Sequence, residues 1–121
     1  MSNQIKTAMV VEDEEALRDI ISEVLNILGI ESIVFENGTA AVKEAETLQT
    51  SIDLFLIDLF MPDMSGEETF KKLDKIFPGK PVIFMSGFDE SAIKMTKDNQ
   101  KFLRKPFTII DLKNTIVEFN S

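Results

Sequence analysis

The stretch from Ser51 to Gly66, SIDLFLIDLFMPDMSG, decides the fold class of this chain of 121 residues. Its apolar run, residues 54–57, is unbroken and bounded by polar residues, which predicts a strand buried on both faces, as in a parallel sheet. The run ends on Asp58, and a loop punctuated by Pro62 and Gly66 follows. An acid at the carboxyl end of such a strand lies where open α/β sheets bind ligands, although the same acid could simply cap the loop.

Composition excludes several classes of function. Apolar residues make up 44% and charged residues 28% of the chain, which is typical of one globular domain. The chain has no cysteine and no histidine, so disulfides, zinc–thiolate sites and Ser–His catalysis are excluded. A net charge of −8 argues against a nucleic-acid partner. No apolar run approaches about 18 residues and the N-terminus turns acidic early, so we expect no membrane span, no signal peptide and a cytoplasmic protein.

Five strand-then-helix repeats follow one another along the chain. Gly29, Pro78 and Gly79 are predicted helix stops, and Thr108 with Asp111 is a predicted capping pair. Strands are predicted at residues 8–11, 30–35, 54–57, 82–85 and 102–103. Helices are predicted at 16–28, 40–48, 70–77, 92–95 and 109–119, the fourth being short and polar.

This alternation predicts an α/β fold: a five-stranded parallel sheet with helices on both faces and right-handed crossovers. The first, third and fourth strands are apolar throughout and should be central, whereas the second is partly polar and the fifth very short, as edges are. The strand order 2-1-3-4-5 satisfies both conditions. The fold class is therefore flavodoxin-like, a doubly wound (βα)5 fold, with its switch point between the first and third strands.

Carboxylates from two neighbouring strands are predicted to meet at that switch point: Glu12 and Asp13 from the first strand and Asp58 from the third. Three crowded carboxylates repel, so some must take up protons unless a cation is present. Mg²⁺ prefers such oxygen ligands. The alternative, that residues 12–15 only form the acidic first turn of a helix, does not explain why two acidic sites meet.

Two further side chains should face the same crevice. Ser86 ends the fourth strand and offers a hydroxyl, and Lys105 follows the fifth and offers an ammonium. Taken singly, Ser86 could be a helix cap and Lys105 a solvated lysine. With the acids, they form a set suited to in-line phosphoryl transfer, in which a cation and Lys105 neutralise the phosphoryl oxygens and Asp58 is the nucleophile.

Four segments in this order, VVEDE at 10–14, DLFMPDMSG at 58–66, MSG at 85–87 and FLRKPF at 102–107, span nearly the whole chain. The chain resembles the receiver domain of two-component response regulators, and we expect residues 1–121 to form a single receiver domain. A chemotaxis member of that family has the strand order 2-1-3-4-5, so the order is not independent support for the resemblance.

The resemblance implies a role for each site residue. Asp58 would be the phosphoacceptor, and Asp13, Asp58 and the backbone carbonyl of Phe60 would bind Mg²⁺, with Glu12 holding the ion through water. Ser86 and Lys105 would bind the phosphoryl oxygens. The switch residues would be Ser86 and Phe102, and the bond before Pro106 would be a cis peptide.

The resemblance also implies the partners. A histidine kinase or a histidine phosphotransfer protein would donate the phosphoryl group. A protein partner would then meet the face formed by the fourth helix, the fifth strand and the fifth helix. We expect a monomer and no enzyme in the usual sense, since the chain would catalyse only its own phosphorylation and dephosphorylation. The kinase, the output partner and whether the chain stands alone or belongs to a hybrid kinase or larger regulator are left open.

Charge favours the same output face. Residues 91–113 carry six cationic side chains against Asp98 and Asp111, a net charge of +4, which leaves −12 for the remainder of a chain of net charge −8. We predict that phosphorylation draws Ser86 toward Asp58 and lets the Phe102 ring fill the vacated space, a gain on the order of 1–3 kcal/mol if the ring becomes fully buried. This basic face should then meet an acidic patch, although a solvated helix surface would look the same.

Three departures from the family pattern and two rival functions remain. Glu12 replaces the common Asp, Phe60 stands where smaller or polar residues are common, and Phe102 replaces the commoner Tyr. These changes bear on metal geometry, on the lifetime of the phosphorylated state and on the hydrogen bonding of the switch. The rivals are a pseudo-receiver that binds partners without phosphorylation and a flavodoxin-like cofactor binder. A flavin phosphate needs a loop of Gly, Ser or Thr after the first strand, where this chain has Glu-Asp-Glu-Glu.

Overall fold

The fold follows the predicted alternation of strands and helices. The computed structural model describes residues 4–88, 93 and 98–119. Within them the elements are, in order, β1 (Thr7–Val11), α1 (Glu15–Ile27), β2 (Glu31–Phe35), α2 (Gly38–Ala45), β3 (Leu54–Asp58), α3 (Gly66–Ile76), β4 (Val82–Ser86), β5 (Gln100–Arg104) and α4 (Ile109–Glu118). The helix predicted at 92–95 falls almost entirely outside the described residues.

The five strands form one parallel sheet in the order β2-β1-β3-β4-β5, which confirms the predicted fold class. Every residue of β1, β3 and β4 is buried, as expected for central strands with helices on both faces. The strands β2 and β5 are the edges. The strand β5 has five residues, not the predicted two, because an edge strand tolerates the polar side chains of Gln100, Lys101 and Arg104.

Each face of the sheet has its own apolar core. On one face, α1 and α4 pack their buried residues, such as Leu25 and Ile116, against β1, β3 and β4. On the other face, α2 and α3 contribute Ala41 and Leu73, among others. Aromatic rings reinforce this second core, since Phe70 contacts Phe55 and Phe84 edge-on with centroids 6.1 and 5.5 Å apart.

Local sequence fixes the ends of several helices. Gly29 ends α1 with a φ of 78°, and the N–H of the next residue, Ile30, donates to the Leu25 carbonyl at 2.8 Å. Asn37 is the N-cap of α2 and accepts a hydrogen bond from the N–H of Ala40 at 2.8 Å. The predicted capping box of Thr108 and Asp111 begins α4, with both of its hydrogen bonds at 3.0 Å.

The carboxyl ends of all five strands lie along one edge of the sheet, since every pairing is parallel. The candidate residues follow or end β1, β3, β4 and β5, so this edge is where the site forms. Across the described part of the chain, no helix combines the length and the apolar character needed to cross a membrane.

Candidate functional site

Three carboxylates meet at the switch point. Val11 of β1 pairs with Ile57 of β3, so the residues that follow these two, Glu12 and Asp58, lie side by side. Glu12, Asp13 and Asp58 each offer a carboxylate oxygen, and these oxygens all lie within 4.8 Å of one another. Glu12 and Asp58 are buried, whereas Asp13 is exposed to solvent. The cluster is therefore open on one side, as a site that exchanges ions with solvent must be.

Lys105 reaches the same cluster from the loop after β5. Its Nζ atom lies 2.9 Å from Oε1 of Glu12 and 3.4 Å from Oδ2 of Asp58. The backbone fixes this loop, because the N–H of Lys105 donates to the carbonyl of Ser86 at 2.7 Å. The peptide bond between Lys105 and Pro106 is cis.

Ser86 is the last residue of β4 and is buried at the carboxyl end of the sheet. Its neighbour Met85 pairs with Asp58 in register, and the Met85 carbonyl accepts the N–H of Leu59 at 2.8 Å. The Ser86 hydroxyl oxygen accepts a hydrogen bond from the N–H of Phe88 at 2.9 Å. The hydroxyl thus caps its own loop and lies one strand away from the Asp58 carboxylate.

One oxygen of Glu12 fits a cation. Oε2 accepts the N–H of Glu14 at 3.1 Å, but Oε1 is buried and has no aligned hydrogen bond among the described residues. Lys105 lies 2.9 Å away, so that oxygen has a charge partner without a hydrogen bond of good geometry. A buried carboxylate oxygen in this condition, beside Asp13 and Asp58, matches the oxygen ligands that Mg²⁺ uses directly or through water.

Burial shifts the protonation of the two inner acids. It raises the pKa of Glu12 to about 7, against the attraction of the Lys105 ammonium, and the negative charge of Asp58 adds to the rise. Burial likewise raises the pKa of Asp58 to about 6. The positive charge of Lys105 lowers this pKa, and the neighbouring Asp13 raises it. The raised carboxyl pKa values therefore come mainly from burial, and the expected crowding of the acids adds to them. For Lys105, burial lowers the pKa, but Glu12 and Asp58 outweigh it and leave the value raised.

Sequence reasoning missed the residues that hold the loops of the site. Arg18 of α1 donates from its guanidinium to the backbone carbonyl of Glu12 at 2.9 Å. Asp63 accepts the N–H of Thr39 at 3.0 Å and its hydroxyl at 2.5 Å, which ties the loop after β3 to the start of α2. The Thr39 hydroxyl holds the pKa of Asp63 below its usual range. Nothing in the one-dimensional pattern indicates the contact of Asp63 with Thr39, because the two residues are 24 positions apart.

Gly66 also positions the site. It was visible in the sequence as the glycine that punctuates the loop after Asp58. A β-carbon added there would lie 2.4 Å from the carbonyl oxygen of Asp58 and 2.7 Å from the α-carbon of Leu59. The N–H of Gly66 donates to the Leu59 carbonyl at 2.8 Å. The loop that follows Asp58 therefore closes on the backbone of Asp58 itself, and glycine is required by space, not by φ.

Phe102 lies on the same sheet face as the second core. It pairs with Phe84 of β4 in register and is already half-buried. The gain of 1–3 kcal/mol expected for burying the whole ring is therefore too high, because only its remaining exposed part can still be buried. Lys101, one residue earlier, lies 2.8 Å from Glu118 and 5.2 Å from the centre of the Phe119 ring, so part of the basic segment is neutralised within the chain.

Comparison with known proteins identifies the family of this site. The family profile of the response regulator receiver domain matches residues 8–117. The chain belongs to this family. It is 30% identical over 118 residues to the autoinducer 1 sensor kinase/phosphatase LuxN of Vibrio campbellii, covering 96% of this chain and 14% of LuxN. It is 30% identical over 115 residues to the response regulator receiver protein CpdR of Brucella abortus, covering 93% of this chain and 94% of CpdR.

A solved receiver domain has the same fold as this chain. The crystal structure of the receiver domain of the hybrid histidine kinase CckA superposes on this receiver with a TM-score of 0.82 at 29% identity, covering 95% of this chain and 99% of that one. The chain spans a small part of LuxN but nearly all of CpdR. Receivers of this family thus occur both within sensor kinases and as single-domain proteins, and the chain is a receiver of two-component systems.

Proposed function

We propose that this receiver is a phosphoacceptor: Asp58 takes a phosphoryl group from a phosphorylated histidine in a Mg²⁺-dependent reaction. The observation that carries the proposal is the convergence of Glu12, Asp13 and Asp58 within 4.8 Å, with Lys105 against two of them. A cluster of acids alone would suit many cations. A buried nucleophilic carboxylate beside a lysine and an open cation site suits phosphoryl transfer in particular.

Asp58 performs the transfer as a nucleophile. One of its carboxylate oxygens forms a bond to phosphorus while the bond from phosphorus to the imidazole nitrogen of the donor breaks. The electron pair of the broken bond stays on the imidazole, which takes up a proton from solvent. The pKa of Asp58, raised to about 6 by burial, still leaves most of this carboxyl ionised and reactive at pH 7.

The remaining site residues neutralise charge. Asp13, Asp58 and the carbonyl of Phe60 are the proposed direct ligands of Mg²⁺, and Glu12 holds it through water; the ion, when bound, offsets the charge on the phosphoryl oxygens. Lys105 turns from the carboxylates to a phosphoryl oxygen, a short movement because its Nζ atom is already 3.4 Å from Asp58. Ser86 binds another oxygen after giving up the N–H of Phe88. Hydrolysis restores the unphosphorylated state: water attacks phosphorus, the bond from phosphorus to the Asp58 oxygen breaks, phosphate leaves and Asp58 is again a carboxylate.

The proposed donor is a histidine kinase or a histidine phosphotransfer protein. The similarity to receivers within LuxN and CckA, both named as kinases, supports this class of donor. We further propose that residues 1–121 act as one receiver domain whose catalysis is limited to its own phosphorylation and dephosphorylation.

The proposed output face comprises the segment from about residue 89, β5 and α4. Ser86 connects this face to the site through the hydrogen bond from Lys105 N–H, and Phe102 lies on the strand next to it. Arg104 and Lys113 are exposed cations on the described part of this face. An acidic surface of a protein partner is the expected complement.

The test of the phosphoacceptor proposal is direct. The chain is incubated with acetyl phosphate and Mg²⁺, with and without EDTA, and its intact mass is measured. We expect one added phosphoryl mass that requires the metal and is absent from Asp58→Asn. Asp19→Asn is the matched control, since Asp19 is an exposed acid on α1 that lies outside the carboxylate cluster. Phosphorylation of Asp58→Asn rejects Asp58 as the acceptor, whereas a wild type that gains no phosphoryl mass rejects the proposal as a whole and favours a pseudo-receiver.

The flavodoxin-like alternative is the weaker one. The loop after β1 presents Glu12, Asp13, Glu14 and Glu15, whose charge repels a flavin phosphate. A visible flavin absorption spectrum of the purified protein would support that alternative.

A further inference from the structure

Two exposed phenylalanine rings stand together at the carboxyl edge of the sheet. The side chains of Phe60 and Phe88 are 54% and 63% exposed, although large apolar groups are usually covered. Their ring centroids are 5.0 Å apart and the ring planes meet at 65°, an edge-on aromatic contact. They come from different loops, one after β3 and one after β4, so the ring pair bridges the two loops across the surface.

The ring pair is tied to the reacting groups. Phe60 lies two residues after Asp58 and directs its N–H at Asp58 Oδ1 at 3.4 Å. Phe88 lies two residues after Ser86 and donates its N–H to the Ser86 hydroxyl at 2.9 Å. The backbone thus fixes both rings beside the carboxylate and the hydroxyl. A donor that brings phosphorus to Asp58 must pass next to this pair.

Resting on the phosphoacceptor function proposed above, we propose that the Phe60–Phe88 ring pair is a docking contact for the protein that carries the phosphohistidine. The pair would make the site selective for protein donors over small phosphorylated molecules. A protein surface around a histidine can cover both rings, whereas a small anionic donor gains nothing from them.

Physical chemistry favours this assignment. Exposed aromatic residues are enriched at protein interfaces, and a few such residues supply most of the binding energy. The acidic cluster beside the rings gives an anionic donor little attraction until a cation is present, so apolar contact is the favourable interaction that a protein donor can add. Binding energy gained on groups remote from the reacting atoms also places the phosphohistidine against Asp58.

The experiment compares two donors on the same variants. Wild type, Phe60→Ala and Phe88→Ala are phosphorylated at pH 7 with Mg²⁺ by phosphoramidate, and separately by a panel of phosphorylated histidine phosphotransfer domains. The quantity measured is the ratio of the two second-order rate constants. Ile27→Ala is the matched control, since Ile27 is 72% exposed but lies at the far end of α1.

We expect each ring variant to lower the ratio of protein to phosphoramidate rates by roughly tenfold, the effect of losing one central contact, while Ile27→Ala leaves the ratio unchanged. The double variant should lower the ratio of rate constants by less than the product of the two single-variant effects, because the rings contact each other. An unchanged ratio, even if both rates fall, overturns the docking role, as does a wild type that accepts from phosphoramidate and from no protein donor. A wild type that neither phosphoramidate nor any protein donor can modify rejects the phosphoacceptor function instead.

Discussion

Lys105 forms its shorter ion pair with Glu12, at 2.9 Å, and its longer one with Asp58, at 3.4 Å. The ammonium therefore lies closer to Glu12, the acid that the proposed chemistry does not phosphorylate, than to Asp58. This leaves the nucleophile, Asp58, as the less completely neutralised of the two carboxylates. Release of Lys105 from Glu12 when a cation binds would free it for a phosphoryl oxygen.

The first prediction concerns pH and stability without metal. The folded pKa values of Glu12 and Asp58, about 7 and about 6, lie above their usual values of 4.5 and 3.8. Groups with raised pKa values stabilise the fold below their unfolded pKa, and this contribution is lost as pH rises through the folded pKa. We expect the free energy of unfolding in EDTA to fall by about 5 kcal/mol between pH 4 and pH 8, measured by urea titration.

Asp58→Asn is the control for that prediction. Removing one of the two charges should flatten the pH profile and make the metal-free variant more stable than the wild type at pH 8. A profile that rises from pH 4 to pH 8, or one that Asp58→Asn leaves unaltered, contradicts the assignment of the raised pKa values to this cluster.

The second prediction concerns Lys105→Met. Methionine keeps much of the side-chain volume but leaves Glu12 and Asp58 without their cation. Because both carboxyls are largely neutral at pH 5, the substitution should cost little there and about 1–3 kcal/mol at pH 8 in EDTA. Lys75→Met, at an exposed site on α3, should change neither value. An equal cost at pH 5 and pH 8 would mean that packing, not charge, explains the effect.

The third prediction concerns the metal ligands. Asp13→Ala removes a proposed direct ligand and should lower the affinity for Mg²⁺ by more than about 100-fold. Glu12→Asp should lower that affinity by about tenfold or less, because Glu12 is proposed to act through water. The chain has no Trp or Tyr, so Mg²⁺ is titrated by NMR amide shifts. Equal affinities of the wild type and Asp13→Ala would refute the ligand assignment.

The fourth prediction tests the closure of the loop after Asp58. Gly66→Ala places a methyl group 2.4 Å from the Asp58 carbonyl oxygen, so backbone must shift. We expect a loss of about 1–3 kcal/mol in stability together with weaker Mg²⁺ binding. Gly87→Ala is the matched control in the neighbouring loop, because nothing lies within 4 Å of its added β-carbon. Similar unfolding curves for the two variants would show that the loop has room at Gly66.

The fifth prediction concerns the switch. Beryllofluoride on Asp58 stands in for the phosphoryl group, and its amide shift changes should extend from residues 58–66 to residues 86–113. Ser86→Ala should confine the changes to the site while Asp58 is still modified, since it removes the hydroxyl that is proposed to bind the phosphoryl group and leaves the Ser86 carbonyl on the N–H of Lys105. Ser51→Ala, exposed ahead of β3, is the control. Changes that never pass residue 86 in the wild type would exclude this face as the switch.

Local pattern was sufficient for the architecture and for the identity of the charged groups. The buried runs of β1, β3 and β4 and the polar residues of β2 and β5 indicate which strands are central and which are edges, because central strands need two apolar faces. Strand ends then determine where Asp13 and Asp58 lie, since parallel strands end along one edge. Capping at Thr108 and the stop at Gly29 followed from residue types alone, because those hydrogen bonds join residues close in sequence.

Only the tertiary structure decided how the groups share charge and which residues hold them. Lys105 is 93 positions from Glu12, so sequence predicted that both face one crevice but not that they form an ion pair of 2.9 Å. The same holds for the hydrogen bond from the N–H of Thr39 to Asp63 and for the contact of the Phe60 ring with the Phe88 ring. Burial and distance determine these energies, and both arise when separate segments pack together, whereas sequence specifies only the periodicity and chemistry of each segment.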